Sequence, residues 1–309
     1  MCEYAKDPQS LTLKIGDQTM RLIFREGSEA IVPFYRTLYR EFLVEPQAGE
    51  RALEIHLLPK TGNELFGMSG DQTQPVESAF SGERLADWVG KNGTWTGDVS
   101  AAEGIIGIQS LNGLLLFSPD TACGRIFIPE KDKHPYQSLY RLFWIYFAQV
   151  VGETGGCFLH AASMEKAEKG FVFFGESGAG KSTLARLTNG ANVIADEAPV
   201  MSDRDKDLRV YPSPYHQMSP EHNFGKRLID IGAPIEGLYF IVMDKKTFVE
   251  PVSGTDAIAM ILARYIHFFV YVTPGARAKI FDLFHRACHN LPVFCLHYAI
   301  NTDVLKALC

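Results

Sequence analysis

A chain of 309 residues is long enough for about two domains, and 46% hydrophobic with 21% charged residues is ordinary globular composition, which argues against a disordered chain or a disulfide-stapled miniprotein. The net charge of −6 hides no basic half, with 14 Lys+Arg against 19 Asp+Glu in residues 1–150 and 16 against 17 in the remainder, so no nucleic-acid partner is expected. Six cysteines without a CxxC pair read as reduced thiols.

At the N-terminus, Met1 to Pro8 lacks the basic stretch followed by an apolar one that marks a secretory signal, which predicts a cytoplasmic protein. Leu11-Leu13-Ile15 and Met20-Leu22-Phe24 alternate with polar neighbours around Gly16-Asp17, a β-hairpin pattern. Val32 to Phe42 suits a short helix, Arg51 to Pro59 a strand and Thr61 to Ser81 a loop. Strands are expected at Gly104–Ser110, Gly113–Ser118 and Gly124–Pro129. From Pro135 the period changes, with Leu139, Leu142, Phe143, Tyr146, Phe147 and Val150 at helical spacing. A boundary here divides a smaller β-rich α+β domain, residues 1–134, from a second domain, residues 135–309. In the second, strand segments at Cys157–Ser163, Gly170–Gly175, Asn192–Ala195, Leu208–Tyr211 and Ile235–Met243 alternate with helical ones, which makes it α/β. The most apolar window, Ala257 to Val272, holds Arg264 and His267, is too short and polar to span a bilayer, and reads as a buried helix passing into a strand.

Gly175-Glu176-Ser177-Gly178-Ala179-Gly180-Lys181-Ser182-Thr183 satisfies G-x-x-x-x-G-K-[ST] at every fixed position, after the apolar run Phe171–Phe174 and before the helical Leu184-Ala185-Arg186-Leu187. Glycines permit a backbone that wraps an anion with its N–H groups, Lys181 would reach the β and γ phosphates, and the Ser182 hydroxyl would ligand Mg²⁺. ATP with Mg²⁺ is the expected ligand. Fifteen residues beyond Lys181, the apolar Val193-Ile194-Ala195 ends in Asp196-Glu197, where a metal ligand or a catalytic base belongs. His160, 21 residues before Lys181, is by itself a weaker candidate, since a histidine near a strand is more often a satisfied core side chain. His216, Lys226, Arg227 and Arg264 are cations that could grip phosphates or an acidic acceptor. His285, Cys288, His289, Cys295 and His297 crowd into thirteen residues, but Ile280, Phe284, Ala287 and Cys288 form one apolar helical stripe and the spacing matches no standard zinc module.

Leu159-His160-Ala161, then Gly175–Thr183, then Asn192-Val193-Ile194-Ala195-Asp196-Glu197 together resemble the catalytic domain of the HPr kinase/phosphorylase family, on its kinase-like branch. The resemblance covers roughly residues 155–305 and implies a fold shared with phosphoenolpyruvate carboxykinase, with ATP-dependent phosphoryl transfer to a serine hydroxyl of a protein or peptide. It implies roles too: Asp196 as base, Lys181 as charge neutraliser, Ser182 with Glu197 or Asp196 on the metal, and His160 near the γ-phosphate. Here the family's usual second aspartate is Glu197, the residue after the histidine is Ala161, and the arginine- and glycine-rich signature of the bifunctional enzyme is absent. These departures set the chain apart from the bifunctional enzyme and leave HPr as substrate, and the phosphorylase reaction, open. A homo-oligomer remains open. The rival reading is an ATP-binding accessory or sensor protein that phosphorylates nothing.

Overall fold

The computed structural model describes residues 9–25, 27–47, 50–58, 74–75, 106–110, 113–118, 123–129, 135–187, 191–204, 207–215, 225–300 and 304. They form an α/β protein with mixed sheets and two compact units, Met1–Leu13 with Thr19–Phe147 and Lys14–Gln18 with Ala148–Cys309.

In chain order the first unit holds most of β1 (Ser10–Ile15) and β2 (Gln18–Phe24), then α1 (Val32–Leu38), β3 (Arg51–Leu58), β4 (Gln74–Pro75), β5 (Ile106–Ser110), β6 (Gly113–Phe117), β7 (Cys123–Pro129) and the start of α2 (Pro135–Glu153). Its sheet runs β1-β2-β3-β7-β6-β5-β4, parallel from β2 to β7 and antiparallel from there to β4. The expected hairpin forms around Gly16, whose φ of 62° suits glycine. The expected helix at Val32–Phe42 ends early: α1 stops at Leu38 and a separate 3₁₀ turn takes Arg40–Phe42. Most of the expected loop at Thr61–Ser81 lies outside the described residues.

Helix α2 explains why the first unit extends to Phe147, past the expected boundary at 134. Its apolar face packs on the sheet: Tyr146 sits against Gly124, where an added Cβ would come within 2.5 Å of the ring, and its hydroxyl donates to the Ala52 carbonyl at 3.1 Å. Phe143 meets Tyr35 edge-on at 5.2 Å between centroids. No helix among the described residues is long and apolar enough to cross a membrane.

The second unit continues with β8 (Cys157–Phe158), β9 (Ala161–Lys166), β10 (Lys169–Phe174), α3 (Lys181–Leu187), β11 (Asn192–Ala195), β12 (Val200–Arg204), β13 (Asp207–Tyr211), α4 (Gly225–Ile231), β14 (Ala233–Met243), β15 (Phe248–Pro251), α5 (Gly254–Arg264), α6 (Pro274–Asn290) and β16 (Val293–Tyr298). The strands run β11-β9-β10-β14-β13-β12-β8, with β16 on β14 and β15 on β16. β10, β14 and β16 are mutually parallel along this path, and β9 is antiparallel to both β10 and β11. The Phe171–Phe174 run is apolar throughout because both faces of β10 are covered. Phe171 and Phe173 enter a core with Met164, Leu184, Tyr239, Ile241, Leu296 and Tyr298, while Phe174 meets Phe240 and Tyr265.

Two expectations fail here. The strand expected at Cys157–Ser163 is broken in two at Leu159-His160, because Leu159 bridges Ile266 and the His160 N–H donates to the Tyr265 carbonyl at 2.8 Å. The chain thereby leaves β12 and joins β10. The strand expected to follow the helix at Ala257–Val272 is replaced by a 3₁₀ turn at Phe269–Tyr271, after Phe268 takes a left-handed φ of 61°.

Candidate functional site

Strand directions alone bring the three sequence signals together. Phe174 at the end of β10 is in register with Ala161 at the start of β9, so His160 lies beside the first glycine of the phosphate loop. Two antiparallel steps return β11 to the direction of β10, so Asp196 and Glu197 leave the same sheet edge as Gly175. The Ala161 N–H then donates to the Glu197 carbonyl at 3.1 Å and ties the acids to the histidine strand. This edge is the carboxyl end of the parallel strands β10, β14 and β16, the usual place for a ligand in an open α/β sheet.

A cleft of about 330 Å³ opens there, lined by His160, Glu176, Ser177, Gly178, Gly180, Lys181, Ser182, Thr183, Asp196 and Glu197. Within the Gly175–Thr183 loop, Gly175 and Ala179 are not part of this lining, and neither Arg227 nor Arg264 belongs to it. The loop's path requires glycine: Gly178 and Gly180 have φ of 83° and 92°, and a Cβ on Gly175 would meet Ile241 at 2.8 Å. A Cβ on Gly178 would meet nothing within 4 Å, so the loop's middle faces open space in the cleft. Leu184 pins α3 behind the loop, in the core with Phe171 and Phe173.

Lys181 is buried, and its ammonium donates to the carbonyls of Gly175 at 2.6 Å and Glu176 at 3.3 Å. It also lies 3.3 Å from His160 Nε2. Burial lowers the pKa of Lys181, with the Glu197 charge opposing the shift. Burial and the neighbouring Lys181 charge lower that of His160, again against Glu197. Because an ammonium can only donate, a neutral His160 receives it on Nε2 and carries its own proton on Nδ1. Among the described residues, no ion pair joins Lys181 to Asp196 or Glu197, although all three line the cleft.

The donor set suits a hard cation held jointly with phosphate oxygens. Ser182 and Thr183 bring hydroxyls and Asp196 and Glu197 bring carboxylates, yet among the described residues no three His, Cys, Asp or Glu side chains could hold a metal by themselves. Mg²⁺ is an ion that takes one or two carboxylates together with substrate phosphates.

No family model matches the chain. Nor does any curated protein match it at a significant level. The reading of the cleft therefore rests on its own residues and their geometry.

Several residues around the site were not among the site candidates read from the sequence. Tyr298, at the end of β16, sets its hydroxyl 3.1 Å from the Ala179 carbonyl and 3.2 Å from that of Gly180, bracing the phosphate loop from behind. Ser213 donates to the Ala198 carbonyl at 2.5 Å and braces the turn after the acids. The segment after α5 reaches His160, with the His267 ring 5.0 Å from that of His160. A lone tyrosine or histidine distant in sequence has no spacing signature, so only the parallel pairing of β14 with β16 and the Leu159–Ile266 bridge could reveal these.

Other candidates go elsewhere. Arg227 pairs with the buried Glu165, which also accepts from Asn192 at 3.0 Å, at the end of β9 away from His160. It is a structural ion pair rather than a phosphate grip. His216 and the Lys226 side chain lie outside the described residues. In the histidine and cysteine group near the C-terminus, Cys288 is buried in α6, which pushes its thiol up to about 11. His297 stacks on Phe248 at 4.3 Å and directs Nδ1 to Asp244 at 3.1 Å.

Proposed function

We propose that this chain is an ATP-dependent kinase of the HPr kinase-like type, transferring the γ-phosphoryl group to a serine hydroxyl of a protein or peptide. The observation that carries the reading is the convergence of His160, the Gly175–Thr183 loop and Asp196-Glu197 on one cleft, with Lys181 at its floor. A glycine-rich loop alone would suit many anion binders, whereas an adjoining pair of acids that, among the described residues, forms no ion pair suits hydroxyl activation and metal binding.

In this reading the backbone N–H groups of Glu176 to Ser182 hold the polyphosphate. Lys181 exchanges its carbonyl partners for phosphate oxygens and offsets the charge that develops between the β and γ groups. Ser182 and Glu197 would hold Mg²⁺, which supplies further neutralisation of that charge. Asp196 takes the proton of the acceptor hydroxyl as its oxygen forms the new P–O bond; the β–γ bridge bond breaks and ADP leaves. His160, neutral and hydrogen-bonded to Lys181, fixes the lysine at the transfer end of the cleft. The serine acceptor class follows from the resemblance of residues 155–305 to the HPr kinase family, and a role for residues 1–134 in positioning that acceptor belongs to the same proposal.

The test is to incubate the full chain with MgATP labelled at the γ-phosphate and a pool of serine-containing peptides, and to look for acid-stable label on serine by mass spectrometry. Transfer that is lost in Lys181→Ala supports the kinase. MgATP binding with no transfer to any acceptor, including those in extract from the source cells, favours the accessory or sensor reading.

A further inference from the structure

Taking the cleft as a nucleotide site, we propose that Arg264 belongs to it as an exchangeable cation, resting on Glu176 in the free protein and moving to the polyphosphate when the nucleotide binds. The first reason is charge. The lining carries three carboxylates, Glu176, Asp196 and Glu197, against the single ammonium of Lys181, a poor balance for a polyanion. Glu176 is the most awkward of these because it is part of the loop whose N–H groups would wrap the phosphates. Among the described residues, the one cation in contact with any of these carboxylates is Arg264, its Nη1 2.6 Å from Glu176 Oε1.

The second reason is that the two ends of this contact differ in freedom. The backbone beside Arg264 is fixed: Tyr265 packs on Phe174 and Phe240, and its carbonyl accepts the His160 N–H at 2.8 Å. The paired side chains themselves are about two-thirds exposed, 65% for Arg264 and 66% for Glu176. An exposed pair of this kind is held only weakly, so it opens readily. Phosphate offers the same guanidinium fork a stronger, bidentate partner. The helix end thus holds the arginine at the rim of the cleft, and Glu176 parks it there without a deep commitment.

A purely neutralising role for Arg264 makes a different prediction, and four variants separate the two. MgATP binding is measured by calorimetry on the full chain for wild type, Arg264→Ala, Arg264→Lys, Glu176→Gln and the double variant Arg264→Ala with Glu176→Gln. Exchange predicts that Arg264→Ala weakens MgATP binding about tenfold to hundredfold, the range for losing hydrogen bonds to a charged group. Arg264→Lys should recover only part of the loss, Glu176→Gln should bind more tightly than wild type, and the double variant should stay weak. Neutralisation predicts that the double variant returns to wild-type affinity, and that result would overturn the proposal. Equal affinity in wild type and Arg264→Ala would do the same while leaving the nucleotide reading intact. A wild-type chain that binds no MgATP would remove both.

Discussion

The carboxylate cluster on the first unit's sheet and the one in the second unit's cleft use similar residues in opposite ways. Glu54 on β3 faces Arg125, its in-register neighbour on β7, and accepts from its Nε at 2.7 Å. Arg25 bonds the other oxygen, and His56 lies 3.5 Å from the carboxylate and stacks on Phe127. Burial opposes ionisation of Glu54, but the nearby His56 and the hydrogen bonds from Arg25 and Arg125 outweigh it and hold the carboxyl well below its ordinary range. Asp196 and Glu197, by contrast, share a cleft with Lys181 but form no ion pair with it, and Lys181 is satisfied by carbonyls and a neutral histidine. Charges that complete one another stabilise a fold; charges held apart are available to a ligand.

Four substitutions would break or sharpen this contrast. The largest effect is expected at Asp196. If its carboxylate is the general base, Asp196→Asn lowers phosphoryl transfer by ~10²–10⁴ while MgATP affinity stays close to wild type. If it is instead a metal ligand, affinity falls as well and raised Mg²⁺ partly restores turnover. Transfer rates and calorimetry on one preparation distinguish these, and turnover within about threefold of wild type would remove Asp196 from the mechanism.

Next comes Lys181→Ala, which should weaken MgATP binding about tenfold to hundredfold, as loss of hydrogen bonds to a charged group does. The thermal transition should remain cooperative, because Leu184 and the strand core still hold α3.

In the first unit the expected change is in stability rather than ligand affinity. Glu54→Gln should cost about 1–3 kcal/mol at neutral pH, by denaturant unfolding, with MgATP binding unaltered. The folded carboxyl titrates below its ordinary value of 4.5, so Glu54 contributes its full stability above that pH and loses it as the pH falls toward the folded value. The gap between wild type and variant should therefore narrow below about pH 4.5. A gap that widens on acidification would contradict the ion-pair account.

The smallest effect is expected at Tyr298→Phe, which keeps the ring in the core but removes the hydroxyl that braces Ala179 and Gly180. A loss of about 1 kcal/mol, or roughly fivefold in MgATP affinity, is the scale for one neutral hydrogen bond. Unchanged affinity would show that the glycine conformations alone hold the loop.

Much of this molecule was legible in one dimension, for reasons visible at particular residues. Phe171 to Phe174 reads as a buried strand because four consecutive apolar residues can only be covered on both faces, and Gly178 and Gly180 announce a loop because their φ values suit almost nothing else. The hairpin at Gly16 and the long helix from Pro135 follow from local turn chemistry and from helical spacing. His160 was less legible: its break between β8 and β9 depends on the His160 N–H bonding the Tyr265 carbonyl and the Phe158 carbonyl accepting from the His267 N–H, pairings across more than a hundred residues that no local propensity encodes. The turn at Phe268 escaped for the same reason, since an aromatic residue at positive φ is disfavoured locally and is held there by its surroundings.

The sequence by itself determined the parts: a phosphate-loop motif, a strand ending in two acids, and a change of period at Pro135. Those depend on short-range terms, glycine's backbone freedom and the spacing of apolar side chains, which act between near neighbours. Tertiary structure decided which parts meet. Two antiparallel pairings carry Asp196 and His160 to the edge where Gly175 leaves β10, and parallel pairing of β14 with β16 carries Tyr298 behind the loop. It also decided which cations are committed, sending Arg227 to Glu165 and leaving Arg264 at the rim of the cleft on Glu176. Charge pairing acts through space, between side chains that only the completed sheet brings within a few ångströms of one another.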